Sequence, residues 1–165
     1  MSSRKHTDHP HLTGEHRWGD TGQIILLILF LVIWISDSFA FHYSTFLTDK
    51  ISNVVRMPLS GVIFIAGLLL ATGGMKAVFG TERAEPVVIR TGAFRIVRHP
   101  IYLGALLFYL SGIIATLSIA AAIFWIGIIG FYFYISRYEE QLLIEEFGDD
   151  YLKYKTRVGM LFPKF

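Results

Sequence analysis

The sequence contains no cysteine. That excludes disulfides, thiolate nucleophiles, iron–sulfur clusters, cysteine lipidation and cysteine-ligated zinc. Charge is scarce as well: 17% of the 165 residues are charged, against 53% hydrophobic. A soluble domain of this size needs more charge to cover its surface. The net charge of +2 is too small to point to nucleic acid. The basic residues lie beside apolar runs, which suits a membrane surface better than a polynucleotide.

What is present in quantity is apolar sequence, gathered into runs of about 20 residues, the length a bilayer-crossing helix needs. The expected architecture is all-α and polytopic, with about four transmembrane helices and its chemistry on the cytoplasmic side of the C-terminal half, at the basic membrane surface. Residues 1–22 read as a polar tail, and 23–79 as two transmembrane helices. Residues 80–165 read as a linker, two further helices and a charged, aromatic tail. The first span runs from about Gln23 to Phe41, interrupted by Asp37, with Trp34, Phe39, Phe41 and Tyr43 as an interfacial aromatic belt. Pro58 opens the second span, to Phe79. Pro100 starts the third, to about Leu117, and after a turn at Ser118 the fourth runs from Ile119 to Ser136. A polar stretch precedes the first run, so a cleaved signal peptide is not expected. Most Lys and Arg fall in the N-terminal tail, the 80–99 linker and the C-terminal tail, which predicts an integral membrane protein with both termini cytoplasmic. Gly67 with Ala71 and Gly104 with Gly112 are spaced to let helices approach closely. Gly104, Gly112, Gly127 and Gly130 together suggest a cleft that could admit a lipid chain.

The densest chemistry lies in Gly92–Gly104. Pro at the first helical position costs no hydrogen bond, which puts His99 at the N-cap and Arg98 just before it. Helix N–H groups, a guanidinium and an imidazole there make an anion site, or equally an Arg–His pair reaching to lipid headgroups. Tyr102 falls one turn beyond His99 on the same face. Glu139 and Glu140 close the fourth span, where paired carboxylates need solvation or partners. The short turn at Ser118 brings them toward Arg98 and His99. In the tail, Tyr151, Tyr154 and Val158 share one face of a short helix that also carries Lys153, Lys155 and Arg157, which alone reads as interfacial. Four histidines in the N-terminal tail (His6, His9, His11, His16) read as incidental, and no metal site is expected.

The order Arg-His-Pro-x-Tyr-x-Gly, then Glu-Glu, then Phe-Gly-x-x-Tyr-x-x-Tyr-x-x-x-Val and a Pro resembles the isoprenylcysteine carboxyl methyltransferases. It is similar also to the wider membrane methyltransferases that include phospholipid N-methyltransferases. The resemblance covers about residues 85–165. It implies S-adenosyl-L-methionine as cofactor and a lipophilic or lipidated acceptor arriving through the bilayer. The implied cofactor contacts are the linker strand Val87-Val88-Ile89, Phe94, His99, Pro100, Ile101, Tyr102, Glu139 and Glu140. Phe94 stands where the family usually has Tyr. Arg98, Arg137, Glu139 and Glu140 are the expected catalytic residues. Arg137, Tyr151, Tyr154 and Arg157 are expected to face the acceptor. A carboxylate acceptor would use Arg137 to orient it, whereas an amine would need Glu139 or Glu140 as base. A sterol-type reductase binding NADPH and a non-catalytic scaffold are the rival classes. The reductase would need a larger phosphate-binding cluster than the linker suggests.

Overall fold

The computed structural model describes residues 19–80 and 86–164. The histidine-bearing N-terminal tail therefore lies outside the described residues. Five helices follow in order: α1 (Gly19–Ile35), α2 (Asn53–Phe79), α3 (Pro100–Thr116), α4 (Ile119–Phe147) and α5 (Asp149–Arg157). A π-helical turn at Ser36–Phe41 extends α1. The described residues contain no β-strand, only an isolated parallel bridge between Val97 and Gly159. Val87–Ile89, expected as a linker strand, runs unpaired.

The chain is an all-α polytopic membrane protein. Gly19–Phe41, Asn53–Phe79 and Ile119–Phe147 are long and apolar enough to cross a bilayer. Their outward faces keep large apolar side chains exposed, such as Ile28, Val62 and Ile126, where only lipid would solvate them well. The expected third span, α3, has 17 residues, roughly 25 Å of rise against a hydrocarbon core of about 30 Å. Two boundaries also shift. Ser52 caps α2, its hydroxyl accepting from Val54 N at 3.3 Å, so the helix starts before Pro58 and encloses it. At the other end, α4 continues past Ser136 to Phe147, where Gly148 stops it at φ +53°.

Close packing fixes α3 against α2. A Cβ on Gly104 would come within 2.7 Å of the Gly67 carbonyl and 2.8 Å of Ala71 Cβ. The small residues thus let two backbones touch, as their spacing predicts. Gly104 is consequently filled by α2, and Gly112 lies under the Trp34 ring. The expected four-glycine cleft is therefore not formed; a Cβ on Gly127 or Gly130 would meet only open space. Phe30, Leu106, Tyr109, Ile128, Tyr132 and Ile135 form the core between α1, α3 and α4, and Leu161 of the tail joins them.

Polar ties hold the end of the bundle away from the linker. Buried Asp37 accepts from Ser44 N at 2.9 Å, Ser44 Oγ at 2.5 Å and Ser118 Oγ at 2.5 Å. Trp34 Nε1 donates to Gly112 O at 3.0 Å and Thr116 Oγ1 at 2.9 Å, so this ring is anchored between helices. Arg56 donates to Ile51 O at 2.9 Å and Ala115 O at 2.5 Å, satisfying a carbonyl that the end of α3 leaves open. The end of α1, the start of α2, the end of α3 and the start of α4 thus meet. The four helices alternate in direction, and the linker and tail share the opposite end.

Candidate functional site

At that opposite end the linker, the start of α3, the end of α4 and the tail converge. His99 is the N-cap of α3, with Pro100 as its first residue, and both Arg98 and His99 are buried at 8% exposure. Neither reaches out to headgroups. Their backbone N–H groups donate to the tail, Arg98 N to Gly159 O at 2.8 Å and His99 N to Met160 O at 3.1 Å.

The 3.6-residue period of α4 puts Ser136, Glu139 and Glu140 on one inward face, and all three are buried. Arg98 Nε donates to Glu140 Oε1 at 2.6 Å, while its Nη1 donates to the carbonyls of Lys155, at 3.1 Å, and Val158. Lys155 Nζ reaches Glu140 Oε2 at 2.9 Å. Both oxygens of Glu140 are therefore held by cations, and Arg98 is engaged by the tail, so neither is a free anion or cation site. Glu139 differs. It accepts from the Tyr102 hydroxyl, and its Oε2 lies 3.4 Å from His99 Nδ1. The His99 and Tyr102 rings stack at 5.6 Å with 1° between their planes.

His99 sits between the two carboxylates, its Nε2 lying 3.5 Å from Glu140 Oε1 without making a hydrogen bond. Burial pulls its pKa down, but Glu139 and Glu140 outweigh that and hold it above the usual 6.5. Among the described residues three buried polar atoms have no hydrogen-bond partner: His99 Nε2, Ser136 Oγ and Tyr151 OH. Ser136 shares the inward face of the glutamates, and Tyr151 is close enough for Glu140 to raise its pKa further after burial has raised it. Orphaned buried groups are uncommon and mark a polar site that expects a ligand or water.

Residues 55–150 match the family model of the phospholipid methyltransferases. The chain belongs to that family. It is also 34% identical over 85 residues to methanethiol S-methyltransferase 1 of Bradyrhizobium diazoefficiens, a match covering 51% of this chain and 29% of that protein. The chain thus spans less than a third of the length of this relative. The family match ends at residue 150, yet the tail beyond it supplies Lys155 and the carbonyls that grip Arg98.

Of the residues expected at the site, Arg98, His99, Tyr102, Glu139 and Glu140 come together, whereas the side chains of Pro100 and Ile101 pack toward Gly74 of α2. Phe94 lies in a 3₁₀ turn, and its carbonyl accepts from Tyr154 OH at 2.6 Å. That contact packs α5 onto the linker. Burial, offset partly by Arg98 and Arg90, pushes the Tyr154 phenol up to about 12. Val87 is exposed. Arg137 does not join the cluster: one residue past Ser136 the helix has turned by roughly 100°, and its guanidinium lies 5.7 Å above the Phe133 ring on the exposed face. Arg157 lines a separate basic pocket. Ser136 and Lys155 were missed. Ser136 could have been found from its i, i+3, i+4 spacing to the two glutamates, but Lys155 reaches Glu140 only through the fold of the tail.

Proposed function

We propose that this protein is an S-adenosyl-L-methionine-dependent methyltransferase of the membrane, acting on a lipophilic acceptor whose reacting atom must lose a proton. Family membership supports methyl transfer. The donor set supports the cofactor: a buried imidazole, hydroxyls at Ser136, Tyr102 and Tyr151, and two carboxylates are chemically suited to a zwitterionic amino acid and a sulfonium. His99, Pro100, Ile101, Tyr102 and Ser136 would hold it, with Glu139 against its cationic part. Phe94 and the Val87–Ile89 segment would lie around its purine. When bound, the cofactor supplies an electrophilic methyl group. The chain's own contribution is to orient the two reactants, exclude water and accept a proton.

Glu139 is the observation that carries the choice of acceptor. Its partners are a tyrosine hydroxyl and an imidazole, without the two cations that bind Glu140, so it can serve as the base. An amine or a thiol acceptor needs such a base, and a carboxylate does not. The carboxylate reading needed Arg137 as its orienting cation, and that side chain faces away. The relative's name carries a thiol acceptor, and the family's description names phospholipids. Tyr151 and Tyr154 would help wall the site rather than contact the acceptor through free hydroxyls.

The test is a binding titration of the purified protein with S-adenosylmethionine, S-adenosylhomocysteine and NADPH, followed by a pH–rate profile. Binding of the first two, with a rate rising through neutral pH, is expected. Binding of NADPH alone would instead establish the reductase reading. A flat profile that is damaged by Arg137→Gln would restore the carboxylate. We place the linker, the tail and both termini on the cytoplasmic side; reporter fusions after Lys50 and after Lys164 should report opposite sides.

A further inference from the structure

Beside the proposed reaction site the linker and α5 form an open pocket of about 510 Å³ lined by Arg90, Arg95, Lys153, Tyr154, Arg157 and Val158. We infer that this pocket binds the phosphate of an anionic phospholipid headgroup, as a lipid site distinct from the methyl acceptor's.

Four of its six lining residues are cations. Arg90 is paired with Asp150, but no carboxylate among the described residues pairs with Arg95, Lys153 or Arg157. Like charges lining one pocket repel one another, and an anion bound among them would relieve that repulsion. Guanidinium forks match phosphate oxygens in geometry, and a lysine adds a point charge. The volume is in the range of a small-ligand site.

The surroundings favour a lipid over a soluble phosphate. Ile96 and Leu152, sequence neighbours of Arg95 and Lys153, are 49% and 41% exposed, and further along the tail Phe162 is 68% exposed. α5 begins one residue after α4, the third of the long apolar helices, which keeps the pocket near the membrane surface. A headgroup could fill the pocket while its acyl chains stay in the bilayer. Tyr154 is the one aromatic residue in the lining, and it is buried with its hydroxyl on Phe94, so no open ring is offered for a nucleotide base to stack on. The tyrosine also ties the pocket floor to the linker that leads to His99.

The experiment titrates the full-length protein in neutral detergent with short-chain phosphatidylglycerol, phosphatidylcholine of the same chains, glycerol phosphate and NADPH, following binding by native mass spectrometry. Phosphatidylglycerol should bind, more weakly as salt rises, and on the order of tenfold more tightly than phosphatidylcholine. Arg95→Gln with Arg157→Gln should reduce that affinity on the order of tenfold, while Arg157→Lys retains most of it. S-adenosylhomocysteine should not displace the lipid. Equal binding of both lipids, salt-independent binding, or unchanged affinity in the Gln variant would overturn the inference. So would glycerol phosphate or NADPH binding as tightly as the lipid, or displacement by S-adenosylhomocysteine. None of these outcomes depends on whether methyl transfer is observed.

Discussion

Arg98 and Glu140, 42 positions apart in the chain, form an ion pair of 2.5 Å with side chains only 7% and 4% exposed. The pair joins the linker to α4, and Arg98 also takes two carbonyls of the tail. Removing one partner leaves the other charged and buried, which is costlier than removing both. Glu140→Leu should therefore destabilise the protein by about 3–5 kcal/mol, and the double variant Arg98→Met with Glu140→Leu by clearly less. Thermal unfolding in detergent measures both. A double variant as unstable as the sum of the two singles would show that the pair is not a coupled unit.

His99 makes stability depend on pH. Its pKa is raised in the folded protein because Glu139 and Glu140 face it, with Arg98 and Lys155 drawing on Glu140 from the other side. A raised pKa means that the folded state binds the proton more tightly than the unfolded state does. The stabilisation is complete below the unfolded value of about 6.5 and is lost as pH climbs through the folded value. The unfolding midpoint should thus fall as pH rises from about 6 upward, and His99→Gln should flatten that slope. An equal slope in the variant would assign the dependence to another group.

Glu139 and Tyr102 should separate kinetically. Glu139→Gln keeps the shape but removes the proposed base, so kcat should fall by roughly 10²–10⁴. Tyr102→Phe removes one hydrogen bond to Glu139 while keeping the ring stacked on His99. Its cost should be about 1 kcal/mol, or roughly fivefold, and its effect on S-adenosylhomocysteine binding equally small. A Tyr102→Phe variant as inactive as Glu139→Gln would make the phenol itself a participant in proton transfer.

Gly104→Leu tests the contact between α2 and α3. Even the first added carbon would meet the Gly67 carbonyl and Ala71, which must move apart at a cost of about 1–3 kcal/mol or more. The same change at Gly127, where space is open, should cost little. Comparing the two unfolding midpoints checks it.

Much of this fold was legible because its signals are local. Run length announced the helices, Pro100 located the start of α3, and the short turn at Leu117 and Ser118 made α3 and α4 neighbours. From those facts the meeting of His99 with Glu139 and Glu140 followed. The start of α2 was misplaced because Pro58 is a louder signal than the Ser52 cap, although a helix can enclose a proline near its beginning at the loss of one hydrogen bond. Arg137 falls outside the cluster because adjacency to Glu139 in sequence is not adjacency on a helix. Asp37 was visible as an interruption, but its partners Ser44 and Ser118 were not, since that contact closes only in three dimensions. The tail's grip on Arg98 runs through backbone carbonyls, which leave no mark in sequence.

The shortness of α3 has a consequence for the bilayer. Flanked by α2 with 27 residues and α4 with 29, it rises roughly 25 Å, short of a hydrocarbon core of about 30 Å. Lipid next to that helix must thin or tilt to meet it, at fractions of a kcal/mol per Å. A membrane of thinner hydrocarbon removes that mismatch. Turnover should then track acyl-chain length, fastest in short-chain bilayers, which would make membrane thickness itself a regulator of the reaction.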